Sequence, residues 1–536
     1  MSGAFDASLL LLPQVIAHHG RWRGARVALI CGPEQRTWAQ FDAATNRVAR
    51  GLASLGLAPG ARVAVLMSNS LEMVEVLFGA GKAGISVVPL NVSVTDAALL
   101  AMIEDSGAVA VAASGTHCAR IDAMAVDRLG DVAWIRLGVD PPAGAGWIEY
   151  RAWRDSQSAA APSSPVMAAD ECNIIYSSGT TALPKGIVHS HGCRLAWATD
   201  LALALRYHGG CVTVCPVGLY SNIMWATMLA TLLVGGTLVV MSAWSTEALL
   251  QQIERHRVTH GAFVPVQLQR LLESDFAGRD IGSLEALMCC GSPLPLPVKQ
   301  AIPWRLGCQL IELYGLTEGL VTTLDPEDFE RKIESVGRPI PGQQLLLVGA
   351  DDRPVPTGEP GEIVGLGRLT MQRYHNRPDA TLEATWVDPE GRRWLRTGDI
   401  GRFDDEGFLY LVDRKKDLIL SGGQNVFPAD LEAVLVQHPA VAEVAVIGIP
   451  SERWGETPLA LVVPRAAAAH AGPDARADPL ATPRDGTAIA AEALRDWANA
   501  RLGRQQRISE LRFVETLPRN PNGKILKREL RRDYRL

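Results

Sequence analysis

The part of this chain whose residue types speak most directly of chemistry is Tyr176-Ser-Ser-Gly-Thr-Thr-Ala-Leu-Pro-Lys-Gly-Ile-Val-His-Ser190. In Ser177, Ser178, Gly179, Thr180 and Thr181, backbone N–H groups and small hydroxyls can converge on an anion, and Lys185 adds a full positive charge. Such a loop can hold a polyphosphate. It departs from the common P-loop, which ends in Gly-Lys-Ser/Thr; here the end reads Pro184-Lys185-Gly186. A flexible polar hairpin is the competing reading of the loop taken alone. Apolar runs on both sides, Cys172-Asn-Ile-Ile-Tyr176 and Ile187-Val188, predict a turn between two strands.

The elements that must position this loop belong to a large chain. A length of 536 residues implies more than one domain, and 47% apolar with 21% charged residues is ordinary for a globular protein. A formal charge of −6 gives no excess that would draw a nucleic-acid backbone. The basic stretch Lys524 to Arg535 is short enough to be a solvated helix face. The nine cysteines form no C-x-x-C pair and no zinc-spaced cluster. Cys211 and Cys215 read as core thiols on one strand face, and reduced thiols fit a cytoplasmic enzyme. The first residues lack the basic start of a signal peptide. Ile223 to Trp244 carries no charge, but Gly235-Gly236 splits it into a buried helix, a turn and a buried strand rather than a membrane span.

Strand-like runs at 27–31, 62–67 and 85–90 alternate with helical spacing over 37–57 and from Ser70. After the loop the alternation resumes, with helices over 193–205, 222–234, 246–256 and 266–272 and strands over 212–215, 237–241 and 261–264. That pattern predicts an α/β fold with doubly wound, mostly parallel sheets. From about residue 340, short strands and Gly/Pro turns predict a β-rich subdomain. The five charges Asp413-Arg-Lys-Lys-Asp417 read as a solvated hairpin turn or as a hinge. Beyond them a small α+β segment is expected, with helices at 430–437 and 488–500 and strands at 441–447, 459–463 and 509–514. Residues 465–487, rich in Ala, Pro and Asp, read as a surface insertion.

Three further stretches follow in order: Cys289-Cys-Gly-Ser-Pro-Leu294 with Ile311-Glu-Leu-Tyr-Gly-Leu-Thr-Glu-Gly319, then Trp394-Leu-Arg-Thr-Gly-Asp-Ile-Gly401, then Pro518-Arg-Asn-Pro-Asn-Gly-Lys-Ile525. With the opening loop, they make the chain resemble the adenylate-forming superfamily of acyl- and aryl-CoA ligases, adenylation domains and beetle luciferases over essentially its whole length. The resemblance implies an N-terminal AMP-binding domain at 1–412, a hinge at 413–416 about Lys416, and a mobile C-terminal domain at 417–536. It implies that Ser177 to Lys185 closes over the phosphates of ATP. The family usually carries Gly where this chain has Ala182, whose methyl restricts φ and stiffens the loop. Tyr314 matches the aromatic on which adenine stacks, with Gly291, Ser292, Pro293 and Gly315 beside it. Thr317 and Glu318 match residues that approach the α-phosphate and Mg²⁺, Glu318 being the metal's carboxylate. Asp399 and Arg414 match the groups that hold the ribose.

Lys524 follows the tight turn Pro521-Asn-Gly523. In the family the matching lysine lies between the attacking carboxylate and the α-phosphate, where a point cation offsets the repulsion of two anions. The implied reaction forms an acyl-adenylate and pyrophosphate from a carboxylate and ATP; a thiol then displaces AMP. Between the steps the small domain turns, replacing Lys524 by Ser421, Gly422 and Gly423, which would line a passage for the pantetheine arm of CoA. Trp454 either supports that face or is a core residue. The acyl pocket would draw on Tyr220, Ser221, Asn222, Trp225, Phe263, Val264 and Gly315. Residues 216–222 hold neither the His that many relatives carry nor an Asp to pair an amino-acid ammonium, which favours medium-chain, alicyclic or aryl acids. The implied partners are a carboxylic acid, ATP and CoA, with no nucleic acid and no integral membrane association; a homodimer stays open. Two rivals remain: an acyl-AMP ligase loading a carrier-protein thiol, and a non-catalytic acyl- or nucleotide-binding protein.

Overall fold

The computed structural model describes residues 10–128, 135–142, 146–162, 166–177, 184–421, 424–451, 454–465, 490–503, 506–519 and 524–534. The chain divides into two compact units. The first comprises residues 1–346, 364–397 and 407–409, and the second 347–363, 398–406 and 410–536.

Two sheets organise the first unit. The eight-stranded sheet runs Arg373–Tyr374, Gly186–Ser190, Glu171–Tyr176, Ser86–Pro89, Arg62–Leu66, Ala110–Ser114, Ile135–Val139, Ile148–Glu149. Its strands pair in parallel from Glu171–Tyr176 onward, and the first two pairs are antiparallel. The nine-stranded sheet has a parallel centre from Val27–Cys31 through Thr237–Val240, Val212–Cys215, His260–Phe263 and Ala286–Cys289 to Gln309–Gly315, with antiparallel strands at both edges. Strand side chains alternate between faces, so a sheet covered on both sides must be apolar throughout. Arg62–Leu66 shows this: Val63 and Val65 enter the largest core cluster, while Ala64 and Leu66 enter a second one on the other face. The large cluster holds residues from strands of both sheets and from the helices Trp38–Ser54, Leu71–Lys82, His191–Ala204 and Asn222–Val234.

The helices begin where capping chemistry says they should. Thr37, Ser70, Ser190 and Ser245 each accept a backbone N–H of the first turn, satisfying one otherwise orphaned donor. Uncharged Asn222–Val234 ends at Gly235 (φ 72°), and Thr237–Val240 is a buried strand beyond it. Among the described residues no helix is long and apolar enough to cross a membrane.

The second unit carries the long antiparallel pair Val441–Ser451 and Gly455–Pro464, extended by Ile419–Ser421 and Gln424–Val426 and, in parallel, by Glu510–Phe513. Helices Pro428–Leu435, Ala491–Asn499 and Lys527–Tyr534 complete it. The five-charge run is not a hairpin turn. A single 3₁₀ turn, Lys415–Asp417, joins two strands with different partners, and Asp417 is buried. The basic tail is not merely solvated either. Leu530 is buried against Ala445, Ile447, Leu459 and Leu461, Lys527 pairs with Glu432 at 2.7 Å, and Arg531 pairs with Asp417 at 2.8 Å. Burying one leucine contributes about 2 kcal/mol, enough to dock so short a helix. Residues 466–489, which include most of the expected insertion, lie outside the described residues.

Candidate active site

The glycine- and hydroxyl-rich loop hangs between two antiparallel strands, Glu171–Tyr176 and Gly186–Ser190, as the flanking apolar runs predict. Ser177 N–H donates to the Lys185 carbonyl at 3.0 Å and closes its base. Ser178, Gly179, Thr180, Thr181 and Ala182 lie outside the described residues. Lys185 Nζ sits 4.6 Å from the centre of the Tyr374 ring. The Tyr374 hydroxyl donates to Glu318 Oε1 at 2.8 Å. One phenol therefore meets both the lysine of the loop and the candidate metal carboxylate. Burial first, and then the Glu318 charge, push the Tyr374 hydroxyl above its usual range, so it stays a donor. Sequence reasoning missed Tyr374. Its neighbours Arg373 and His375 give no local signal, and only the pairing of Arg373–Tyr374 onto Gly186–Ser190 brings it here.

Tyr314 and Gly315 end the strand Gln309–Gly315, and a tight reversal carries Thr317 and Glu318 into Val321–Leu324. Gly319 adopts φ 102°, and a Cβ there would lie 2.2 Å from the Leu369 carbonyl oxygen, so the turn admits only glycine. Met371 N–H donates to the Glu318 carbonyl at 2.7 Å and fixes the carboxylate's backbone. Among the described residues no three His, Cys, Asp or Glu side chains cluster to hold a metal. What this loop offers is a carboxylate and a hydroxyl, hard oxygen donors that suit Mg²⁺ shared with a phosphate ligand.

Gly291 leaves the strand Ala286–Cys289 with φ 98°, and a Cβ built there would meet Ile223 at 3.4 Å and Val264 at 3.6 Å. That places two of the expected regions, Gly291 to Pro293 and the Phe263-Val264 corner, beside the start of the helix Asn222–Val234. Ser221 caps that helix, with its hydroxyl accepting from Ile223 N–H at 3.4 Å. Asn222 Oδ1 accepts from Arg194 at 2.9 Å. Tyr220 is half-buried, and burial raises its phenol. Trp225 and Phe263 sit in the core at 1% exposure each, and Trp225 Nε1–H donates to the Leu219 carbonyl at 3.0 Å.

A second group forms within the second unit. Arg414, at the end of Leu409–Arg414, meets Asp399 of Arg393–Phe403 at 3.2 Å. Residues 520–523 lie outside the described residues, and Arg519 and Ile525, on either side of them, form an antiparallel bridge. Burial pulls the Lys524 ammonium down to about 8; Arg414 and Lys416 add to the shift, and Asp399 and Asp417 oppose it. Asp399, Arg414, Lys416 and Lys524 are thus near enough to act on one another's charge. Lys416 itself is lowered, first by burial and then by Arg414. Ser421 pairs with Gly455, and Gly422 and Gly423 lie outside the described residues. Trp454 is 47% exposed, so it is not a core residue.

The AMP-binding enzyme family model matches residues 16–375, and the AMP-binding enzyme C-terminal domain matches 430–524. The long-chain-fatty-acid–CoA ligase FadD13 of Mycobacterium tuberculosis is 33% identical over 509 residues, 93% of either chain. Feruloyl-CoA synthase of an Amycolatopsis species is 34% identical over 508 residues, covering 93% of this chain and 94% of its own. The solved o-succinylbenzoate CoA synthetase (MenE) of Bacillus subtilis, in complex with its acyl-adenylate intermediate, superposes with a TM-score of 0.82 at 27% identity. The match spans 97% of this chain and 98% of that one.

Proposed function

The chain belongs to the AMP-binding enzyme family, and on that premise we propose that it is an AMP-forming acid–thiol ligase that makes an acyl-CoA from a carboxylic acid, ATP and CoA. In the first step a carboxylate oxygen attacks the α-phosphorus of ATP, the bond to pyrophosphate breaks, and an acyl-adenylate forms. In the second the CoA sulfur attacks the acyl carbon and AMP leaves. The observation that carries the proposed roles is the group around Lys524. Burial, with Arg414 and Lys416 adding to it and Asp399 and Asp417 opposing it, pulls this lysine down to about 8, so it is a cation at neutral pH, and the reaction brings together two anions whose repulsion a cation offsets.

Lys185 and the loop from Ser177 would take the outer phosphates. Tyr314, with Gly291, Ser292, Pro293 and Gly315, would flank adenine, while Asp399 and Arg414 would hold the ribose. Glu318, helped by Thr317, would hold Mg²⁺, which when bound neutralises charge on the phosphate oxygens. Lys416 would serve as the pivot between the N-terminal domain, 1–412, and the C-terminal one, 417–536. Ser421, Gly422 and Gly423 would then pass the pantetheine arm.

An apolar or aromatic monocarboxylate is the proposed substrate class. Its support is the apolar pair Ile223 and Val264 that flanks Gly291. A long-chain fatty acid and a feruloyl group, named in the two relatives, are of that kind. Nine free thiols, eight of them buried, support a reducing, cytoplasmic setting, and light scattering would decide whether the enzyme is a homodimer.

The test is a panel of fatty, alicyclic and aryl acids assayed for AMP formation with CoA present and for pyrophosphate release without it. Release of neither AMP nor pyrophosphate with any acid overturns the reading. Transfer to a carrier-protein thiol but not to CoA would correct the acceptor.

A further inference from the structure

Arg194 is fully buried, and among the described residues no carboxylate pairs with it. A buried guanidinium without a counter-ion is costly, so its neighbours have to be worth that cost. Burial pulls it down to about 10, which leaves it a cation at neutral pH. It lies 4.8 Å from the centre of the Trp225 ring and 5.5 Å from that of Trp197. Its fork is spent on three neutral acceptors. Nε–H donates to Asn173 Oδ1 at 2.7 Å, Nη1–H to Asn222 Oδ1 at 2.9 Å, and Nη2–H to His189 Nδ1 at 3.2 Å.

These contacts dictate the state of His189. Its Nε2 is 2.8 Å from the Thr317 carbonyl oxygen, which can only accept, so Nε2 carries the hydrogen. Nδ1 faces donors from Arg194 and, at 3.5 Å, from Asn173 Nδ2, so it must be the bare lone pair. Burial, and then the Arg194 charge, hold His189 well below the usual imidazole range. One tautomer satisfies every partner.

We propose that Arg194 and His189 are positioning residues, a hydrogen-bonded relay that fixes the amide of Asn222 at the acyl pocket and the backbone of Thr317 beside the nucleotide in one arrangement. The inference rests on the ligase reading for its sites and adds to it a physical link between them. Asn222 is turned so that its oxygen meets Arg194 and its NH₂ remains the donor. Thr317 and its neighbour Glu318 are held by a ring locked through Arg194. An acid that disturbs Asn222 is thereby felt at Thr317, through three side chains and no backbone change.

The test uses a matched pair. In His189→Asn the amide oxygen replaces Nδ1 and keeps the Arg194 bond but cannot reach Thr317; in His189→Gln the amide NH₂ replaces Nε2–H and reaches it. Adenylation kcat/KM for the best acid is expected to fall about tenfold to a hundredfold in His189→Asn, the size of losing a buried hydrogen bond in a charged network. His189→Gln should recover most of that. Arg194→Lys keeps a charge and loses the fork; combined with His189→Asn it should be no worse than the more impaired single variant. Equal impairment in both His189 variants, none in either, or full additivity with Arg194→Lys overturns the relay. Should the variants fail to fold, ring-¹⁵N spectra of histidine-labelled wild-type protein decide. An Nε2–H tautomer at His189 supports the relay, and an Nδ1–H tautomer overturns it. Wild-type protein that releases pyrophosphate with no acid would sink the ligase reading and leave the tautomer result to judge the relay on its own.

Discussion

At Lys524 the proposed role rests on the residue's setting rather than on its type. After Pro-Asn-Gly a lysine is ordinarily solvated; here Asp399, Arg414, Lys416 and Asp417 surround it and burial pulls it down to about 8. Because the cation is the useful form, adenylation kcat/KM is expected to be full below that value and to fall as pH rises through about 8. In Lys524→Arg the fall should move beyond the measurable range. Lys524→Ala should impair pyrophosphate release about a thousandfold, comparable to removing one oriented charge at a reacting centre, and thioester formation from preformed adenylate far less. Equal losses in both half-reactions would remove Lys524 from the proposed role. Tyr374→Phe keeps the ring over Lys185 and deletes the donor to Glu318. It should raise the Mg·ATP KM about tenfold with little change in kcat, read by titrating the metal. Lys524 could be found in the sequence because its motif is local and ordered with three others. Tyr374 could not: its partners, Lys185 and Glu318, lie far off in sequence and converge only through strand pairing.

Among the elements, the turn at 315–319 and the helix His191–Ala204 bear most on the proposed site. Gly319→Ala would force a Cβ against the Leu369 carbonyl in left-handed backbone, a strain of about 1–3 kcal/mol before the clash is counted. The outcome to look for is a lowered Tm together with lost ATP binding. His191, at the start of the helix, is buried, and neither ring nitrogen has a hydrogen-bond partner. Burial pulls it down to about 4, as it does His260. Both stay neutral in the fold, whereas the unfolded chain takes up protons below about 6.5. Stability is therefore present in full above that pH and is lost progressively as pH falls toward about 4. His191→Phe should flatten part of that decline in a Tm-versus-pH series; an unchanged slope would contradict it. Periodicity revealed the elements around the loop and those from His191 to Glu273, because helices and parallel strands with two buried faces write their burial into local pattern, but it left the helices Leu12–Trp22, Asp96–Ser106, Thr116–Arg128 and Leu296–Leu306 and the strands Ala110–Ser114 and Ile135–Val139 unread. It left the tail helix as a solvated face, since one leucine among arginines carries no readable period, yet Leu530 meets a hydrophobic cluster.

For the molecule as a whole, the two-step reaction asks that different groups serve the same acyl carbon in turn. The 3₁₀ turn Lys415–Asp417 is short, with Leu418 N–H bonded back to the Arg414 carbonyl at 3.1 Å. Lys416→Pro would fix one backbone angle there and remove an N–H. If Lys416 is the pivot, thioester formation should slow by about tenfold or more while pyrophosphate release changes little. Slowing of both alike would locate the pivot elsewhere. The alternation of strands and helices disclosed doubly wound parallel sheets, and the pattern beyond the charged run 413–417 disclosed a smaller α+β part. The sequence did not disclose that residues 347–363 and 398–406 belong with the second unit, because that grouping is made by contacts rather than by chain position.

Of the nine cysteines, eight are buried, and burial has pushed Cys172, Cys215, Cys290 and Cys308 up to about 12. Maleimide dyes attack thiolates, so these side chains will stay dark in a native labelling reaction. With Cys31 replaced by serine, one engineered surface cysteine in each unit would accept a donor and an acceptor fluorophore almost free of background. Single-molecule energy transfer would then test whether the two units change their separation as ATP, acid and CoA are added one after another.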